Sequence, residues 1–196
     1  MSRLDEAITR IDAANADDPN TLVVAGVVRP KEQAHAELMT EWVRRLDPDA
    51  SEAQLLAARA HHLRRWSMPR DSYPEGRAGY LRWRKRLKEQ HAEEVAGILA
   101  DVGYDAALTE RVQAIIRKDG LANDPAVQVH EDALCLVFLE TQALELAADL
   151  GEEKTIDVLR KTLRKMSAAG IAAGLALDVD PAVHDLLVRA GDPPAG

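Results

Sequence analysis

Thr21-Leu22-Val23-Val24-Ala25-Gly26-Val27-Val28 is the one strand-like stretch in the chain, rich in β-branched residues and interrupted by Gly26. A strand needs partners to become part of a sheet, and no second such run exists to pair with it. The stretch is therefore expected to be an extended connector, and the fold class is set by the helical patterns on either side.

Before it, Leu4, Ala7, Ile8, Ile11 and Ala14 recur at helical spacing, which predicts an amphipathic helix over 3–15, ended by Asp17-Asp18-Pro19-Asn20. After it, Pro30 suits the first turn of a second helix running to about Leu46, with His35, Leu38, Met39, Trp42 and Val43 along one stripe. Asp47-Pro48-Asp49 breaks that helix. Ser51 and Gln54 match a capping box that opens a third, expected to carry His61-His62. Ser67 to Gly76 reads as a loop held by Pro69 and Pro74, followed by a long helix over about 77–102 with Gly103 just past its end.

A helix over 107–118 stops at Gly120. Asp124-Pro125 then supplies an N-cap and a first-turn proline for an apolar helix running through Leu139. Gly151 precedes a helix over about 152–166 with i,i+4 charge pairs such as Asp157–Lys161. A weaker Ala/Gly-rich helix over 168–177 and a short one opened by Asp180-Pro181 complete the pattern, with Asp192-Pro193-Pro194 as a frayed tail. The expectation is one all-α domain over 1–196, a helical bundle with its core at about 30–145 and helices 152–190 packed on it.

The composition suits a packed globular chain: 196 residues, 46% hydrophobic and 30% charged. Aromatics are only 4%, so aliphatic side chains must fill the interior. A net charge of -8 argues against nucleic-acid binding over the whole surface. Within it lies a basic island, for Arg64 to Lys88 holds nine basic and two acidic residues. Such an island attracts a small anion or an acidic partner. The single cysteine, Cys135, sits in an apolar run and reads as a small buried hydrophobe. The N-terminus lacks a signal-peptide pattern and no apolar run approaches the ~20 residues of a membrane span, so a cytoplasmic location without membrane contact is expected.

Histidine is a frequent metal ligand, and carboxylates complete such sites. His35 on the second helix, His61-His62 after the Ala-rich third, His91 on the long helix and Glu131-Asp132 opening the apolar helix are placed to share a groove. Adjacent residues on a helix diverge by about 100°, so only one of His61 and His62 is expected to face the core. His130 and His184 read as surface residues. Arg64, Arg65, Arg77 and Arg82 offer guanidinium forks for phosphate or carboxylate oxygens.

A helical histidine at His35, a His-led dyad at His61 and a late Asp132 ahead of an apolar run resemble the HD-domain metalloprotein superfamily. The resemblance implies an all-helical core with His35, His61, His62 and Asp132 as ligands of a divalent ion (Fe, Zn, Mn or Ni). His91 resembles the extra helical histidine of members with a second metal. Position 62 departs from the pattern, because the dyad aspartate is replaced by His62, which cannot bridge two ions as a carboxylate does. The segments Arg64-Arg65-Trp66, Gly76 to Arg84 and Glu131 to Glu140 also resemble a family of uncharacterised proteins bearing a domain-of-unknown-function label.

The expected function is a metal-dependent enzyme of HD-like type acting on a small anionic substrate, hydrolytic or iron-dependent and oxidative. In it His91 or Glu131 would move a proton, and Arg64, Arg65, Arg77 and Arg82 would bind the anion. The alternative is a non-catalytic HD-like module that binds a nucleotide, RNA or an acidic partner through residues 64–88.

Overall fold

A computed structural model describes residues 2–24 and 26–192. The fold is all-α with one small hairpin, in the order α1 (Arg3–Ala16), β1 (Thr21–Val24), β2 (Val27–Pro30), α2 (Lys31–Leu46), α3 (Glu52–Arg59), α4 (Gly76–Asp101), α5 (Ala106–Arg117), α6 (Pro125–Thr141), α7 (Ala143–Leu150), α8 (Glu152–Leu163), α9 (Ala168–Leu175) and α10 (Pro181–Gly191). Two short 3-10 turns, Arg65–Ser67 and Arg70–Ser72, lie between α3 and α4. The expectation for Pro193-Pro194 falls outside the described residues.

The helix ends follow local chemistry. The Ser51 hydroxyl accepts from the Gln54 N–H, and the Gln54 side chain accepts from the Ser51 N–H at 2.9 Å, closing the expected box at the start of α3. Asp124 Oδ1 accepts from the N–H groups of Ala126 and Val127 ahead of Pro125, which starts α6. Gly103, with φ of 85°, follows the end of α4 in the left-handed region that glycine adopts without strain.

The strand-like stretch is not a connector. It pairs with itself as an antiparallel hairpin, with Thr21 opposite Pro30 and Val24 opposite Val27. Both partners come from within one short run because only two residues separate the strands, and Gly26 takes φ of 78°. Val23, Val27 and Val28 remain exposed on this two-stranded ribbon, so it contributes little to the core.

Burial is divided among three apolar clusters. Ile11, Leu56, Leu63, Val95, Leu99, Val112, Ile115 and Ile116 join α1, α3, α4 and α5. Met39, Val43, Ala58, Leu136 and Val137 join α2 and α3 to α6. Leu139, Ile156, Leu159, Val183 and Leu187 join the end of α6 to α8 and α10. The long α6 thus runs through the molecule and reaches both ends of the core. Along it, His130, Glu131 and Asp132 are three consecutive buried polar residues, which require partners.

Candidate metal centre

Four imidazoles meet where α2, the turn after α3, and α4 converge. The His35 ring stacks on that of His62 with centroids 4.2 Å apart, and His62 lies 4.4 Å from His61 and 5.9 Å from His91. The structure therefore brings together His35, His61, His62 and His91. The helical divergence expected for His61 and His62 does not apply, because α3 stops at Arg59 and the histidines sit in the turn beyond it. Arg64, in the left-handed region at φ of 49°, completes that turn, and its N–H donates to Asn15 Oδ1 at 3.0 Å.

The carboxylate that joins them is Glu32. Atoms of Glu32, His35 and His62 lie within 4.8 Å of one another, close enough to share an ion. Glu32 and His35 are three apart on α2, so they project from one face of the helix. Helical Glu-x-x-His pairs hold metals in bundle cores by that geometry. No side chain of its own caps α2; the Asp18 carboxylate accepts from the Glu32 N–H at 2.9 Å and holds this first turn in place. Glu32 Oε2 accepts from His62 Nδ1 at 3.0 Å, while Oε1 lies 3.6 Å from the Arg65 guanidinium.

Both ring nitrogens of His35 are buried without a hydrogen-bond partner among the described residues. A buried polar atom left unpaired is costly, and a cation is a partner that neutral imidazole and carboxylate together suit. Burial holds His35 down to about 4 and His91 down to about 4, and pushes His61 and His62 well below their ordinary value. The rings are therefore neutral at neutral pH, the form that binds metals. His91 Nδ1 faces the Leu63 carbonyl oxygen at 2.9 Å. A carbonyl only accepts, so Nδ1 carries the proton and Nε2 keeps its lone pair.

His130 corrects the surface expectation. It is buried, and its Nε2 lies 2.8 Å from His61 Nδ1. A neutral His61 donating from Nδ1 to His130 leaves its own Nε2 lone pair free, the arrangement by which an outer partner orients a metal-binding ring. His184 is exposed, as expected.

Asp132 does not join the cluster. Its carboxylate accepts from the Ser167 N–H at 2.8 Å, the Ser167 hydroxyl at 2.5 Å and Gln128 Nε2 at 2.9 Å. It fastens the start of α9 onto α6. Glu131 is buried and paired with Lys118 and Lys165. Burial alone would push its carboxyl up, but the two ammoniums more than offset this and hold it below the ordinary range. A carboxylate so engaged is not free to take a proton.

The histidines form one end of a cavity of about 480 Å³ enclosed by α4, α6 and α8. Tyr80, Trp83, Arg84, Leu87, Lys88 and His91 recur along its α4 side at helical spacing; Leu134, Cys135, Phe138 and Gln142 line it from α6, and Val158, Lys161 and Thr162 from α8. Arg65, Lys118 and Lys165 complete the wall, and none of the lining residues is acidic. Of the four arginines expected to bind an anion, only Arg65 lines this space. Arg64 turns to Glu94 at 3.8 Å, while Arg77 and Arg82 are exposed on α4 and do not line the cavity. The Asp157–Lys161 pair is also replaced, since Asp157 meets Arg160 at 3.7 Å and Lys161 faces the cavity. Lys88 is held below its ordinary value by burial and then by Arg84. Lys118 is lowered by burial and then by Lys88 and Arg84, against the opposing pull of Glu131. Cys135 is a buried thiol, pushed up to about 12 by burial, and is no nucleophile at neutral pH.

Three participants were not singled out from the sequence. Glu32 had a signal in its i,i+3 spacing to His35. His130 had one too, since it follows Val127 by three and precedes Ala133 and Val137 by three and seven on the apolar face of α6. Lys118 had none, because its inward course depends on a left-handed φ of 63° at the end of α5. No helix is long and apolar enough to cross a membrane among the described residues. A family model described as domain of unknown function (DUF4202) matches residues 5–187. No curated protein and no solved structure matched the chain.

Proposed function

The chain belongs to the DUF4202 family, and from its Glu32–His35–His62 cluster we propose that it is a metal-dependent enzyme acting on a small anionic substrate. The observation that carries this reading is the convergence of a carboxylate with buried, neutral histidines, one of which has no other partner for either nitrogen. Glu32, His35 and His62 would hold a divalent ion (Fe, Zn, Mn or Ni), with His61 and His91 beside them. An ion held there supplies Lewis acidity toward an oxygen of the substrate.

The chain's own groups supply the rest. Arg65 stands at the edge of the cluster, with its guanidinium 5.3 Å from the Trp83 ring and 3.6 Å from Glu32, where it orients an anionic oxygen. His91, with Nε2 unprotonated, would accept a hydrogen bond at the cluster, though burial, which holds it down to about 4, makes it a weak proton acceptor. Hydrolysis of a phosphate ester is the reaction we favour, since the cavity wall is basic and lacks carboxylates. The arrangement is read as an HD-like site in which the carboxylate has moved from the dyad position to Glu32, one turn before the first histidine.

The test is metal analysis of protein purified without chelator and reconstituted separately with Fe, Zn, Mn and Ni. About one ion per chain is expected, with loss in Glu32→Gln and His35→Gln variants that remain folded by circular dichroism. Under about 0.2 ion per chain with every metal overturns the reading.

A further inference from the structure

Five cations around the cavity, Arg84, Lys88, Lys118, Lys161 and Lys165, have a single carboxylate paired with them among the described residues, Glu131. Arg84 meets only the Tyr80 hydroxyl at 3.3 Å, Lys88 only the Arg117 carbonyl at 3.3 Å, and Lys161 has no partner among the described residues. Arg84 and Lys88 are one turn apart on α4, and Lys161 and Lys165 are one turn apart along and just past α8. Like charges at that spacing repel. Two such pairs on the walls of one cavity place an excess of four positive charges around a partly enclosed space. Glu32 does not offset it, since that carboxylate is already shared by Arg65 and His62.

We infer that this basic wall is a subsite for a phosphate group other than the one at the histidines, so that the substrate carries two phosphate groups. A phosphate monoester brings a charge of about -1.5 to -2 at neutral pH. One such group at the wall offsets up to about half of this excess, and the phosphate at the histidines faces Arg65 instead. Arginine and lysine at these positions bind the oxygens of the non-reacting phosphate by charge-assisted hydrogen bonds. The apolar part of the wall, from α4 and α6, accommodates the organic portion of the substrate. The location of the reacting phosphate rests on the metal-centre reading; the second subsite does not need the metal.

The experiment is therefore calorimetry on full-length protein stripped of metal by chelation, with orthophosphate, pyrophosphate and fructose 1,6-bisphosphate as probes. Pyrophosphate or the bisphosphate is expected to bind at least about tenfold more tightly than orthophosphate. Preference for pyrophosphate assigns adjacent phosphates, and preference for the bisphosphate assigns phosphates held apart. Lys88→Gln and Lys161→Gln are each expected to weaken the tighter probe by about threefold to tenfold while reconstituted metal content stays at the wild-type value. Arg84→Gln serves as a third variant should either lysine change lower the melting temperature. Equal affinity for all probes, or affinity indifferent to these substitutions, overturns the subsite and leaves the metal centre standing. Two-phosphate binding in a chain that never retains metal would do the reverse.

Discussion

The Asp132 carboxylate grips Ser167 twice, through the backbone N–H at 2.8 Å and the hydroxyl at 2.5 Å, and so ties α6 to the start of α9. This contact makes Asp132 a fastening residue. Asp132→Ala is expected to leave metal stoichiometry unchanged and to cost about 2–3 kcal/mol, because it strands a part-buried N–H. Urea unfolding beside metal analysis checks both, and loss of the metal with stability intact would contradict the assignment.

Gly170 follows from the same contact. A Cβ built there would lie 2.6 Å from Asp132 Cγ and 2.8 Å from Oδ1. Gly170→Ala must push this carboxylate off Ser167 or shift α9, and is expected to destabilise by about 1–3 kcal/mol. Gly97 has open space at its Cβ position and lies near the C-terminal end of α4, so Gly97→Ala is expected to be neutral or stabilising by up to about 1 kcal/mol. Melting curves of the two variants should move in opposite directions.

Among the described residues Glu131 is the only carboxylate holding Lys118, whose side chain is 7% exposed. Glu131→Gln leaves that ammonium in place without its counter-charge, a change expected to cost about 3–5 kcal/mol. The double variant Glu131→Gln/Lys118→Met should recover much of the loss, since no buried charge then remains unpaired. A double variant no more stable than the single would show that the pair matters little.

Stability should also depend on pH in a defined window. Burial holds His35 and His91 down to about 4 and His130 down to about 3, against an ordinary value of 6.5. Between those limits the unfolded chain binds protons that the folded one does not. The stability is therefore fully present above about 6.5 and declines as pH falls toward about 4. Each histidine contributes a slope of up to about 1.4 kcal/mol per pH unit. Urea midpoints of metal-free protein at pH 7.5, 6 and 5 are expected to fall in that order, ahead of most carboxylate titration. Equal midpoints at all three would count against neutral, buried rings.

The helical architecture was legible because its punctuation is local. Ser51 with Gln54, Asp124 with Pro125, and Gly103 each act within a turn of themselves, so the residues alone locate the helix ends. The hairpin is not legible from isolation alone, because pairing within Thr21–Pro30 depends on a reversal at a two-residue loop and needs no distant partner. At the site, His35, His61, His62 and His91 were identifiable as residues. Their mutual approach was not, since it rests on the turn that α3 makes after Arg59 and on the left-handed Arg64. Asp132 shows the limit of reading ligands by order along the chain. Its carboxylate is claimed by Ser167, 35 residues further on, a contact that no spacing near Asp132 announces.

His91 takes its orientation from the Leu63 carbonyl oxygen. That acceptor belongs to the backbone, so no codon change at position 63 deletes it. Replacing Leu63 would alter packing, yet the oxygen would remain so long as the main chain kept its path. The proton on Nδ1, and with it the lone pair on Nε2, is thus insured against drift in neighbouring side chains. His62 has no such protection, because its Nδ1 partner is the side chain of Glu32, which a single substitution removes. The two imidazoles stand 5.9 Å apart and differ in how easily mutation can retune them. Substitution of Glu32 is accordingly expected to disturb His62 as well, while His91 keeps its tautomer across changes in its surroundings.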